Sequence, residues 1–275
     1  MNELAHAAEL TIFAGRVADR NPRAMHGAIA MGNVLAHRLG ISPQTLGVFA
    51  APLASGWQAE LEAAGPALRE LQQQIDQVMS AGCTSLMALG RCAASVATLP
   101  VVARHHPDAL IVWFDAHGDS NVPSQSITGY LGGMVLSGAS GRWQTGFGEE
   151  LDLNNVLLVG ARDLDPGERD LIAAGVLRCI PPGPDLDVQL AAAIGDRSVY
   201  VHLDCDALEP GVVPVEVPVA GGLTLADLRK ASQVLARNEV LGLEIAEYEA
   251  TWVDTGLAGD PHGVLEALHP MLVRP

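Results

Sequence analysis

Apolar residues in this chain gather into short continuous runs bounded by turn residues, and eight of these runs have the length and branched-residue content of strands. They lie near Thr11 to Ala14, Thr45 to Ala50, Ser85 to Leu89, Leu110 to Phe114, Val156 to Gly160, Val176 to Ile180, Ser198 to Leu203 and Val240 to Ile245. Most show no alternation of polar and apolar positions, which is how strands covered on both faces read. Between them the period changes to that of helices. Leu68, Leu71, Ile75 and Val78 fall on one helical face, and Pro66 suits the first turn ahead of them, so a helix is expected to begin there. Thr224 can cap another helix with Asp227 in its first turn, and a last helix is expected from about Pro261 to Leu272. Strand alternating with helix predicts an α/β fold of three layers, a mostly parallel eight-stranded sheet with helices on both faces. No linker, repeat or low-complexity tract interrupts the pattern, so residues 1–275 are expected to form a single domain.

Composition narrows the class. With 275 residues, 49% of them hydrophobic, the chain has ample material for a full core. Acidic residues outnumber basic ones by 32 to 16, a formal charge of −16, which argues against nucleic-acid or anionic-membrane partners and favours a cationic small molecule. No apolar run approaches a membrane span, and Met1 to His6 lack the basic start of a secretion signal, so a cytoplasmic location is expected. Cys83, Cys179 and Cys205 read as buried thiols of a reducing compartment.

Polar residues with chemistry cluster just beyond the strands. In Leu110-Ile-Val-Trp-Phe-Asp115-Ala-His117-Gly-Asp119-Ser-Asn121 an apolar run gives way to acidic and imidazole groups at every second position, a metal-ligand spacing if the backbone stays extended. Turn capping explains such a run equally well when it stands alone. A second run, Ser198-Val-Tyr-Val-His-Leu-Asp204-Cys-Asp206-Ala-Leu-Glu-Pro210, repeats the design. Two carboxylate clusters with few cations near them repel each other unless divalent ions lie between. Cys92 follows the third strand, Asp163 and Asp165 the fifth and Glu247 the eighth, so all these groups are expected at the carboxyl edge of the sheet, where ligands bind in such folds. His202 reads as a core histidine or a support for Asp204, and Trp252 and Asp254 as candidates for the pocket mouth.

These residues resemble the ureohydrolase (arginase) superfamily. Asp115-Ala-His117-Gly-Asp119 is similar to its Asp-Ala-His-x-Asp motif, and Asp204-Cys-Asp206-Ala-Leu-Glu-Pro210 to its Asp-x-Asp-x-x-Asp-Pro motif, with Glu209 replacing an Asp that does not bind metal. Gly221-Gly-Leu-Thr224 and Glu244-Ile-Ala-Glu247 resemble two later landmarks, so the likeness runs from about Ser85 to Glu247. The resemblance implies an arginase-like fold and two Mn²⁺ ions bridged by Asp115 and Asp204. It implies that Asp119 completes the shell of one ion, and His117 and Asp206 that of the other. The family's Gly-Gly-Asp-His-Ser motif, which supplies a further His ligand, corresponds to Leu89-Gly90-Arg91-Cys92-Ala93. Cys92 thus stands where a His is expected, either as a soft ligand that weakens Mn²⁺ binding at that site or as a plain core thiol beside a one-metal site. The His that shuttles protons in arginases falls on Gly132, and no His occurs between His117 and His202.

Gly160-Ala-Arg162-Asp163-Leu-Asp165-Pro-Gly-Glu168 is similar to the segment that holds the substrate's α-amino group, with Asp165 as the gripping carboxylate, although a helix-capping turn fits the same residues. Asn121 and Thr128 correspond to groups at the α-carboxylate, and Glu247 to the carboxylate facing the guanidine. The reaction implied is attack of a hydroxide held between the metals on a guanidine carbon, with Asp119 returning the proton to the departing amine. The Cys92 and Gly132 departures resemble a divergent branch that cleaves Nω-hydroxy-L-arginine to L-ornithine and hydroxyurea in D-cycloserine biosynthesis, and that is the expected activity. Arginase, agmatinase or formimidoylglutamase chemistry is the alternative, as is a metal-poor, non-catalytic binding relative. The partner is thus a small guanidino amino acid. Oligomeric state stays open between monomer and homo-oligomer, since the chain stops without the tail through which many arginases trimerise.

Overall fold

The computed structural model describes residues 7–272; the first six residues, on which the expectation about a secretion signal rests, lie outside them. In chain order the elements are β1 (Ala8–Phe13), α1 (Arg23–Leu39), β2 (Gln44–Leu46), α2 (Trp57–Ser80), β3 (Thr84–Leu89), α3 (Ser95–His105), β4 (Leu110–Phe114), α4 (Val135–Ala139), β5 (Val156–Val159), α5 (Pro166–Ala173), β6 (Arg178–Ile180), α6 (Leu186–Ile194), β7 (Val199–Asp204), α7 (Leu225–Leu235), β8 (Val240–Ala246) and α8 (His262–Leu272). The eight strands form one sheet in the order β2-β1-β3-β8-β7-β4-β5-β6, and every pairing between them is parallel. The sheet is therefore wholly rather than mostly parallel. Residues of α2, α3 and α4 pack against one face and residues of α1, α6, α7 and α8 against the other, giving the expected three layers. No helix among the described residues is long and apolar enough to cross a membrane.

Several boundaries differ from those predicted. β2 stops at Leu46 because Gly47 takes a left-handed φ of 73°, and Val48 and Phe49 beyond it are exposed. β6 starts at Arg178, since the amides of Val176 and Leu177 turn back onto the Leu171 carbonyl at the end of α5. α2 begins nine residues before Pro66, which lies in its interior and gives up one helical hydrogen bond. The turns ahead of Pro66 hold because Trp57, Leu61 and Ala64 continue the face that Leu68, Leu71 and Ile75 bury. α7 starts as predicted, with Thr224 Oγ1 accepting from the Asp227 amide at 3.1 Å.

The order of the strands positions the site. The chain passes from β3 to β4 over a gap that β8 and β7 later fill, so β3, β8, β7, β4 and β5 lie side by side at the centre of the sheet. Every segment singled out for its chemistry leaves the carboxyl end of one of these five.

Candidate metal centre

The site is built on a row of polar side chains inside the sheet. Trp113 on β4 is paired in register with His202 on β7, and His202 with Glu244 on β8. All three face α3 and are fully buried. The His202 ring stacks on Trp113 with centroids 3.6 Å apart. Glu244 accepts from His202 Nδ1 at 2.9 Å, Ser95 Oγ at 2.7 Å, Thr98 Oγ1 at 2.5 Å and Tyr200 Oη at 2.8 Å. Burial works against its charged form, but these donors prevail and hold its carboxyl below the ordinary value. With Nδ1 committed to Glu244, His202 turns Nε2 upward.

Two residues further along the same strands, on the same face, come Asp115 and Asp204. Trp113 Nε1 donates to Asp115 Oδ2 at 2.8 Å, and His202 Nε2 lies 3.1 Å from Cys92 Sγ, which in turn donates to Asp204 Oδ2 at 2.9 Å. His202 is thus both a core histidine and a support for this edge of the sheet.

Beyond the strands the backbone is not extended, and the alternation expected to align the ligands is replaced by a turn repeated at two strand ends. Asp115 Oδ1 accepts from the His117 amide at 2.7 Å, and Asp204 Oδ1 from the Asp206 amide at 2.7 Å. The turn-capping role and the ligand spacing are therefore the same structure. Asp206 Oδ1 takes the Ala116 amide at 3.0 Å, which ties the two turns together. His117 Nδ1 then lies 3.3 Å from Asp115 Oδ1 and 3.1 Å from Asp206 Oδ2. Asp119 enters through a left-handed φ of 44°, a conformation that Asp tolerates better than most residues.

Three sets of side chains bring ligand atoms within 4.8 Å of one another: Cys92, Asp115 and Asp119; Asp115, His117 and Asp206; and Cys92, Asp204 and Glu247. All the ligands expected from the sequence are therefore gathered in one place, with Asp115 and Cys92 each common to two sets. Their electrostatics call for cations. Burial, and then the charge of Asp115, pushes the Asp119 carboxyl well above its ordinary value. Burial, and then Asp206 and Asp115, does the same to Asp204. Asp206 is pushed up to about 6 by burial and by Asp115. Burial alone would lower His117, but hydrogen bonds and charge from Asp115 and Asp206 push it up to about 12.

A cleft of about 280 Å³ opens over this cluster. On one side Asn121 Nδ2 donates to Asp165 Oδ2 at 2.7 Å, and Thr128 lines the wall beside them. Glu168 fastens this side: Oε1 accepts from the Ser120 amide at 3.0 Å and Oε2 from the Asp165 amide at 2.9 Å, where α5 begins. A side chain at Gly118 would meet the Glu168 carboxyl carbon at 2.6 Å, so the clamp requires glycine in the motif. On the other side Glu247, at a left-handed φ of 61°, accepts from the Cys92 amide at 2.9 Å. Trp252 and Asp254 do not reach the cleft.

Sequence reasoning passed over Arg91. It is fully buried, donating Nη1 to Glu247 Oε2 at 2.7 Å and Nε to Asp19 Oδ1 at 3.1 Å, with Nη2 facing Glu216 and Glu249. Burial pushes the Asp19 carboxyl up to about 7 although Arg91 draws it down. An arginine two residues past the end of a continuous apolar strand, where the related motif has an acid, was the available signal.

The profile of the Arginase family matches residues 16–256, and the chain belongs to that family. It is accordingly a hydrolase of linear amidines. The chain is 38% identical to the N(omega)-hydroxy-L-arginine amidinohydrolase of Streptomyces lavendulae over 242 residues, 88% of this chain and 89% of that protein. It is 30% identical to the arginase of Bacillus caldovelox over 198 residues, 66% of each. The native structure of the Bacillus caldovelox arginase superposes with a TM-score of 0.82 at 25% identity, covering 98% of this chain and 99% of that one.

Proposed function

We propose that this enzyme hydrolyses Nω-hydroxy-L-arginine to L-ornithine and hydroxyurea with two divalent cations, Mn²⁺ in the first instance. The observation that carries this reading is the thiol of Cys92 built into the carboxylate cage, 2.9 Å from Asp204 Oδ2 and grouped with Asp115 and Asp119. Likeness over most of the chain to a relative with that named activity supports it. The donors fit the ions: carboxylate oxygens throughout, one imidazole and one sulfur, packed so that their charges repel without a cation. In this reading Asp115 and Asp204 would serve both ions, Cys92 and Asp119 one of them, and His117 and Asp206 the other. Bound there, the cations would supply a water acidified enough to act as a nucleophile near neutral pH.

The chain's own groups do the rest. Asp165 holds the substrate's α-amino group, and Asn121 and Thr128 reach its α-carboxylate. Glu247, fixed by Arg91 and the Cys92 amide, faces the guanidine. The oxygen of a water bonds to the guanidine carbon, the bond from that carbon to the side-chain nitrogen breaks, and both protons of the water end on the departing amine, one of them carried by Asp119. An N-hydroxyl draws electrons from the guanidine and makes it a weaker base, which suits a site whose guanidine-facing carboxylate is already paired with an arginine. The same substrate places the reaction in antibiotic biosynthesis. Purified enzyme loaded with Mn²⁺ is expected to turn over Nω-hydroxy-L-arginine faster than L-arginine, agmatine or formiminoglutamate, with hydroxyurea identified by mass. Faster turnover of L-arginine defeats the reading in favour of an arginase.

A further inference from the structure

The residue that the structure puts in place of the missing histidine is Tyr130. Resemblance places the arginase proton-shuttle His at Gly132, and a Cβ built on Gly132 would lie 2.4 Å from Cε1 and 3.1 Å from Cδ1 of Tyr130. The tyrosine ring therefore fills the volume into which a side chain at 132 would project, and the two positions have to be read together. The ring is held from two sides. The guanidinium of Arg20 stands 4.6 Å from its centroid, and its backbone amide donates to Thr128 Oγ1 at 3.2 Å. Tyr130 lines the cleft with Arg91, Glu216 and Glu247. Its phenol lies in the field of those three and of Asp19, and burial followed by the Glu247 charge pushes it well above its ordinary value, so it keeps its proton. A neutral phenol that can both give and accept a hydrogen bond thus lines the same cleft as Glu247, the carboxylate read as facing the guanidine, and the arginine that fixes it.

We propose that Tyr130 binds the terminal hydroxyl of a hydroxylated guanidine and sets the enzyme's preference for that substrate over the unmodified amino acid. The proposal rests on the Nω-hydroxy-L-arginine reading above. Unmodified guanidinium nitrogens are donors only, so they leave the phenol proton without the acceptor that an N-hydroxyl oxygen provides. A pocket that hydrogen-bonds a substrate hydroxyl discriminates strongly against an analogue lacking it.

The test compares kcat/KM for Nω-hydroxy-L-arginine and L-arginine in the Mn²⁺-loaded wild type, Tyr130→Phe and Gly132→Ala, with calorimetric Kd values for both amino acids. Loss of the phenol in Tyr130→Phe is expected to reduce the ratio of the two kcat/KM values about 10- to 30-fold, mostly through weaker binding of the hydroxylated amino acid. Gly132→Ala keeps every polar group but drives the ring out of place, and is expected to reduce the ratio in the same direction. Unchanged ratios and Kd values in both variants, with melting temperatures near wild type, overturn the role of Tyr130 and leave the proposed activity standing. A wild type that already prefers L-arginine overturns both.

Discussion

The two ends of the carboxylate cluster are made in different ways. The end around His117 is local: Asp115 and His117 lie in one turn, Asp206 in a second, and backbone amides tie the turns together, with the His117 side chain 27% exposed. The end around Cys92 is fully buried and rests on long-range packing. Its sulfur touches His202 and Asp204 from another strand, and a glutamate with four donors braces His202 from below. One end therefore offers oxygen and nitrogen atoms near solvent, the other a sulfur among oxygens in the interior. Hard cations should distinguish them.

Removing what the ends share gives the largest effect. Asp115→Asn alters the carboxylate that the His117 and Cys92 ends have in common, and is expected to lower kcat/KM by about a thousandfold or more with loss of both ions by elemental analysis. Retention of two ions per chain would mean that Asp115 is no bridge. A smaller effect separates the ends. Titration of metal-free enzyme with Mn²⁺ is expected to resolve two binding events differing about 10- to 100-fold in Kd, with Co²⁺ closing that gap. His117→Ala should remove the tighter event and Cys92→Ala the weaker one. Two equal Mn²⁺ affinities would erase the distinction.

The smallest effect is on stability. In metal-free protein, Asp19 at about 7 and Asp206 at about 6 keep protons in the fold that the unfolded chain has released above its ordinary carboxylate value of 3.8. Their contribution is present at low pH and is lost as pH rises through those values. His117, at about 12, stays charged in the fold while an unfolded histidine gives up its proton near 6.5, so its contribution also declines from that point upward. The melting temperature of metal-free enzyme should therefore fall by roughly 5 °C from pH 5 to pH 8. With Mn²⁺ in excess the trend should reverse, because cations compete with those protons. A flat profile without metal would mean that the cluster is compensated in some other way.

The same contrast explains what could be read from the chain. The His117 end was legible because its ligands are contiguous and its turn chemistry is local, and the sheet because buried parallel strands leave continuous apolar runs. What escaped depends on pairs distant in sequence. Nothing near Arg91 announces that Asp19, Glu216 and Glu247 close around it, and Tyr130 gains its place only through the space left by Gly132. α2 starts earlier than its sequence suggests because a proline is a strong local signal for a helix's first turn, whereas the packing of Trp57 and Leu61 that overrides it is tertiary.

The contact between Cys92 and His202 bears on any attempt to rebuild the ordinary family ligand. The His202 ring stands 3.1 Å from the Cys92 sulfur, so Cys92→His would bring a second imidazole against the first and is expected to need a smaller residue at position 202. Positions 92 and 202 are therefore expected to behave as a coupled pair, the double exchange costing less stability than Cys92→His alone.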